Sequence, residues 1–184
     1  SIRCNTLKIT PENLLKRLKS KSWVIDQPFE NYPEIMIIKG KFANEEDNVN
    51  AENSRDDSTI KNISRGRVGG NNSNIIELEP GELGRSMEHL LGYYYVQEIA
   101  SMLSVLALKP QPGETVLDLA AAPGSKTSQI AAEMKNTGTI IANDVSIGRL
   151  KILASNMERC GATNAILTKK DGIALCKRLK QEGF

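Results

Sequence analysis

The residues best equipped for chemistry stand in the second half of the chain. A short apolar run, Thr115–Leu119, passes directly into the small residues Ala120, Ala121, Ala122, Pro123 and Gly124. Side chains this small let a ligand approach the backbone, and the helix expected to follow, with Ser125 as its cap, offers unpaired N–H groups. Asp144 lies 24 residues beyond Ala120 and closes a second apolar run, Thr139–Asn143, where its carboxylate can accept hydrogen bonds from a ribose diol. Asp171 follows a third run, Ala165–Thr168, where it can meet an adenine amino group. Each acid also has a plainer reading, as the cap of the helix after it.

The missing residues narrow the ligand. No G-x-G-x-x-G occurs, so the dinucleotide fingerprint fails. Gly124-Ser125-Lys126-Thr127 superficially matches a phosphate loop, but that loop requires glycine where Ser125 and Ala120 stand. A ligand with ribose and adenine but no phosphates is S-adenosylmethionine. Other chemistries have little to work with. The single histidine, His89, speaks against a His-rich metal site or a Ser-His-Asp triad. The three cysteines, Cys4, Cys160 and Cys176, form no C-x-x-C pair and suit a reducing, cytoplasmic setting.

These residues need a scaffold that brings strand ends together. Val96, Ile99, Ala100, Leu103 and Ala107 recur at helical spacing up to Lys109-Pro110. After the first apolar run, a helix should carry Ile130, Ala131 and Met134 inward. After the second, Ser146 caps another with Leu150, Leu153, Ala154 and Met157 on one face and Gly161 as its stop. After the third comes a helix with Ile173, Leu175 and Leu179. Strand–helix alternation at this spacing predicts βαβ units and a parallel sheet, whose ligands bind beyond the carboxyl ends of the strands.

The first 42 residues read as a separate small α+β unit. Thr10-Pro11-Glu12 starts a helix with Leu14, Leu15 and Leu18 on one side and Lys16, Arg17, Lys19 and Lys21 on the other. That basic face is either solvated or a nucleic-acid contact. Trp23–Ile25 and Ile35–Ile38 are candidate strands. Charge follows the same division. Residues 1–42 hold eight basic and four acidic residues, net +4; residues 43–92 hold five and ten, net −5; residues 93–184 hold eleven and eight, net +3. From Ala43 to Asn74 the sequence is rich in Asn, Ser, Asp and Glu and lacks aromatics, too little apolar surface to offset chain entropy. The expected organisation is a 1–42 N-terminal unit, a disordered low-complexity insertion at 43–76 containing Arg65–Gly70, a connection at 77–92, and a cofactor-binding core at 93–184. No apolar run reaches membrane-spanning length, and the opening residues lead one to expect no secretory leader.

Ala120–Thr127 resembles motif I, C/A-A-A-P-G-G-K-T, of the Nol1/Nop2/Sun family of RNA cytosine-5 methyltransferases. Arg3-Cys4-Asn5-Thr6-Leu7-Lys8 resembles the R-x-N-T-L-K signature of that family, and Gly92–Ser101 the Q-[DE]-x-[AS]-S segment that leads into its fold. Asn143-Asp144, Arg149 and Asp171-Gly172 fall where the family places its later cofactor contacts. The archaeal and tRNA-modifying branch looks nearest. The resemblance implies a Rossmann-like class I methyltransferase core, here the first half of its parallel sheet, preceded by an RRM-like α+β domain. It further implies that the backbone from Ala120 to Lys126 holds the methionine end of S-adenosylmethionine. Asp144 would take the ribose, Asp171 the adenine, and Arg149 would steady that wall or be solvated. The implied substrate is RNA, transfer RNA first and ribosomal RNA second, with no metal and no membrane.

Two departures stand inside the motifs: Ser125 replaces a glycine, and Ile147 a Pro or small residue. A third concerns catalysis. Cytosine C5 becomes nucleophilic only after a thiolate adds at C6, and the target base must leave its stack. The family's nucleophile and helper cysteine follow strands four and five, and the sequence reaches Phe184 before either. Cys160 and Cys176 are expected as partly buried helix residues, and Cys4 as structural. The resemblance therefore implies a truncated copy whose 184 residues alone lack methyltransferase activity. A non-catalytic RNA-binding module on the same fold, or a small-molecule or protein methyltransferase, are the alternatives.

Overall fold

The computed structural model describes residues 1–42 and 75–181. Its first sheet is antiparallel. β1 (Ile2–Cys4) lies between β3 (Ile35–Phe42) and β5 (Tyr94–Val96); β2 (Trp23–Asp26) pairs the far side of β3, and β4 (Ile75–Ile76) meets its end. Only β2 and β3 were visible in the sequence. β1 and β5 have three residues each, too few for alternation to register, and pairing with each other makes them strands. Val96, counted above into a helix, therefore belongs to β5, and the helix begins at Ile99. Of the stretch 43–76, only Ile75 and Ile76 are among the described residues, and they form β4 rather than insertion. The Arg65–Gly70 piece lies outside them.

α1 (Pro11–Lys19) starts as its sequence dictates, with the Thr10 hydroxyl accepting from the Asn13 N–H at 3.3 Å. Leu14 and Leu18 pack under Ile2, Cys4, Trp23, Met36 and Tyr94. Two short helices, α2 (Glu82–Arg85) and α3 (Met87–Leu90), close this unit. On α3, Glu88 is fully buried and accepts from Lys21 at 2.7 Å and Arg17 at 3.4 Å. The basic side of α1 is thus not wholly solvated.

The second sheet is parallel, in the order β6 (Thr115–Asp118), β7 (Thr139–Asn143), β8 (Ala165–Thr168). α5 (Ser125–Glu133) and α6 (Ile147–Cys160) connect the strands, α4 (Ile99–Leu108) packs on α5, and α7 (Gly172–Gln181) follows β8. Val116, Ile140 and Ala165 are register partners and face a core of Ile130, Ala131, Met134, Leu150, Leu153 and Met157. The alternate row, Leu117, Ile141 and Ile166, points to the other face, where Ile166 is 56% exposed. This is the parallel βαβ arrangement the alternation predicted and the Rossmann-like core the resemblance implied. Two details differ. Ala154 is exposed. Gly124, not Ser125, is the N-cap of α5, because the chain enters that helix in the left-handed region.

A polar seam joins the sheets, built largely from the first eight residues. Arg3 donates to Gln97 at 3.0 Å and to Ser128 at 2.8 Å, and Gln97 donates to Gln129 at 3.1 Å. The Asn5 amide donates to the carbonyls of Gly92 and Cys160, and Lys8 to those of Leu91 and Arg159. Burial lowers the pKa of Arg3, whose partners in these bonds are neutral.

Candidate active site at the strand ends

The candidate site is assembled where β6, β7 and β8 end. A single buried amide organises it. Asn143 Nδ2 donates to the Leu119 carbonyl at 3.1 Å and to the Lys170 carbonyl at 3.0 Å. Its Oδ1 accepts from the Thr168 hydroxyl and the Lys170 N–H, both at 3.0 Å. The Asn143 carbonyl also accepts from the Ala121 N–H at 2.8 Å. One side chain therefore ties together the loops after all three strands. In the sequence Asn143 stood out only as half of Asn143-Asp144; the available signal was an amide at the last position of a strand.

The loop 120–124 rests on α6. Gly124 has φ +107°, a conformation that favours glycine, and it packs against the tips of Leu153 and Met157, 2.8 Å from where a Cβ would stand. Two loop carbonyls are held from α6: Arg149 donates to that of Ala122, and Asn156 to that of Pro123 at 2.8 Å. Below the loop, Thr127 donates to Asp118 at 2.7 Å, fixing α5 to the end of β6. Ala120, Pro123 and Lys126 are exposed, Ser125 is half-buried, and Ala121, Ala122 and Gly124 are buried. Lys126 reaches across to the Ser101 hydroxyl on α4 at 3.1 Å.

Asp144 is 2% exposed at the end of β7. Its Oδ1 accepts from the Ser146 N–H at 3.0 Å, and its Oδ2 lies 3.0 Å from Arg149 without hydrogen-bond alignment to any partner. A buried carboxylate oxygen with unused acceptor capacity is uncommon and suits a hydroxyl-bearing ligand. Arg149, whose side chain is 54% exposed, spans this acid and the Ala122 carbonyl and so does more than dissolve a helix face. Asp171 is exposed, and its Oδ1 accepts from the Ala174 N–H at 3.0 Å, so the plainer role of helix cap is realised there.

The thiols stand elsewhere. Burial pushes Cys4 up to about 12 and raises Cys160 as well, holding both as unreactive thiols. Cys176 lies on α7 and is exposed rather than partly buried. A cavity of about 420 Å³ opens in the seam between the sheets, not at the strand ends. Its wall sets Glu34 and Glu133 against Arg3 and Lys109, with no net preference of charge. Among the described residues no helix is long and apolar enough to cross a membrane.

A parallel sheet with a small-residue loop after its first strand and an acid after its second is the Rossmann-like arrangement of proteins that bind nucleoside cofactors. Residues 105–184 match the family described as 16S rRNA methyltransferase RsmB/F. The chain is 38% identical to the ribosomal RNA small subunit methyltransferase F of Pectobacterium carotovorum over 94% of its own length, spanning 28% of that protein. A solved methyltransferase homolog from Pyrococcus horikoshii is 30% identical, with TM-score 0.68, over 97% of this chain and 46% of that one. The NSun6 structure from Pyrococcus horikoshii shares the fold, with TM-score 0.71 at 23% identity over 96% of this chain and 59% of that one. The chain is thus similar over nearly its whole length to RNA methyltransferases of the RsmB/F kind, whose family model its residues 105–184 match. The Pectobacterium relative is named a ribosomal RNA methyltransferase, whereas the motifs had put the archaeal and tRNA-modifying branch first.

Proposed function

We propose that this chain is the S-adenosylmethionine-binding part of an RNA cytosine-5 methyltransferase. The observation that carries the reading is the buried Asp144 carboxylate, with one oxygen free of hydrogen bonds, beside the small-residue loop at the carboxyl edge of the parallel sheet. When bound, the cofactor supplies the methyl group. The chain's own residues bind and orient it. The Ala120–Lys126 backbone takes the methionine end and Asp144 the ribose hydroxyls. Arg149 covers Asp144 and swings aside as the diol arrives. Asp171, which already caps α7 through one oxygen, accepts from the adenine amino group through the other.

The substrate is small-subunit ribosomal RNA, the class in the name of the Pectobacterium relative. Transfer RNA is the second reading, favoured by the R-x-N-T-L-K and motif I residues. Cytosine methylation requires a thiolate, and none of the three cysteines belongs to the strand-end loops. The 184 residues alone therefore bind cofactor without transferring methyl groups.

Calorimetric titration with S-adenosylhomocysteine tests the binding half. Micromolar affinity is expected, with Asp144→Asn about tenfold weaker and no binding of ATP or NAD. Silence towards S-adenosylhomocysteine would overturn the reading. Bisulfite sequencing of ribosomal and transfer RNA, after incubation with the whole gene product that carries this chain, identifies the substrate. Methylcytosine in neither RNA, with cofactor bound, would instead assign a non-catalytic RNA-binding module.

A further inference from the structure

Asn156 lies on α6, the helix that also carries Arg149, and it too is built into the loop 120–124. Its Nδ2 donates to the Pro123 carbonyl at 2.8 Å and stands 3.2 Å from the Tyr95 hydroxyl. That hydroxyl in turn donates to the Pro123 carbonyl at 3.4 Å. The other end of the amide is also fixed, because Asn156 Oδ1 accepts from Arg159 at 3.2 Å. Arg159 donates to the His89 carbonyl at 2.8 Å and sits 5.4 Å from the centroid of the Tyr95 ring. The chain of contacts thus runs from β5 and α3, in the antiparallel unit, through α6 to one carbonyl of the loop.

We propose that Asn156, oriented by Tyr95 and Arg159, is a positioning residue that fixes the loop 120–126 for the methionine end of the cofactor. The proposal rests on the cofactor reading above. It adds that the antiparallel unit supports the cofactor site through Tyr95. A carbonyl held by two donors confines the peptide units on either side of it, and a confined loop loses less freedom when a ligand binds. No single residue among Asn156, Tyr95 and Arg159 need touch the ligand for this to operate.

The experiment compares two ligands that share adenosine but differ at the end this loop would serve. S-adenosylhomocysteine carries the amino-acid group, and 5′-methylthioadenosine lacks it. Asn156→Ala is expected to weaken S-adenosylhomocysteine about tenfold while changing 5′-methylthioadenosine less than about twofold. Tyr95→Phe removes only a hydroxyl, leaves the ring under Arg159, and serves if the alanine variant does not fold. It should weaken S-adenosylhomocysteine about threefold with the same selectivity, and the double variant should lose less than the product of the two. Equal losses for both ligands, or no loss for either, would overturn the positioning role while leaving cofactor binding intact. Failure of the unsubstituted chain to bind S-adenosylhomocysteine would instead remove the cofactor reading, and this role with it.

Discussion

The two sheets bury polar groups in different places and to different ends. In the antiparallel unit the buried carboxylate, Glu88, sits behind the sheet and joins α3 to α1 through Lys21 and Arg17. In the parallel unit the polar groups Asn143, Asp144 and Thr127 gather at the carboxyl ends of the strands, above an aliphatic core. Glu88 has its hydrogen-bonding needs met internally by charged partners. Asp144 keeps one oxygen without a hydrogen bond. Buried polarity that is fully answered within the fold marks a fastening, whereas buried polarity left partly unanswered marks a place for something else to bind.

Asn143 is where this contrast breaks most severely. Replacing it with Ala removes four side-chain hydrogen bonds and strands the carbonyls of Leu119 and Lys170, costing about 3 kcal/mol at about 1 kcal/mol per bond less relaxation. Urea denaturation should show that loss, and S-adenosylhomocysteine affinity should fall with it because all three loops loosen together. An Asn143→Ala chain with unchanged stability would mean the loops are held by their own backbones.

Asn143 also shows what the sequence could and could not reveal. Strand–helix alternation and the Ala120–Gly124 run exposed the parallel unit because its signals are local: periodicity, turn residues, an acid after each strand. The antiparallel unit depends on β1 and β5, two three-residue strands from opposite sides of the insertion, and nothing local marks either. Asn156 and Tyr95 were not legible as site residues for the same reason, and Asn143 only as half of Asn143-Asp144. Their importance lies in which distant carbonyls they reach, and residue type gives no hint of that.

Glu88 sharpens the comparison from the other side. Burial pushes its pKa up, but the Lys21 hydrogen bond and the Lys21 and Arg17 charges outweigh burial, and the net shift is downward. Glu88 thus holds its proton less tightly folded than unfolded. Its contribution is fully present above the ordinary carboxylate range and is lost as pH falls through and below that range. Glu88→Gln should cost about 1–2 kcal/mol at pH 7, as for a hydrogen bond to a charged group. The difference from the unsubstituted chain should shrink towards pH 3. Cofactor affinity should stay unchanged, since the fastening serves the antiparallel unit. A change in affinity larger than about twofold would mean that Glu88 also supports the strand-end loops.

The smallest effect is at Asp171, where fastening and binding are proposed to share one carboxylate. Asp171→Ala removes the cap of α7 and should cost about 1 kcal/mol. Asp171→Ser should recover most of that stability, because a serine hydroxyl can accept from the Ala174 N–H as the aspartate does. It does not restore the second carboxylate oxygen assigned to the adenine amino group. S-adenosylhomocysteine should therefore bind both variants about fivefold more weakly, about 1 kcal/mol for one hydrogen bond to a charged acceptor. The loss should disappear for a ligand whose base lacks the amino group. If Asp171→Ser recovers affinity along with stability, Asp171 is a fastening alone, and the unanswered polarity of the strand ends narrows to Asp144.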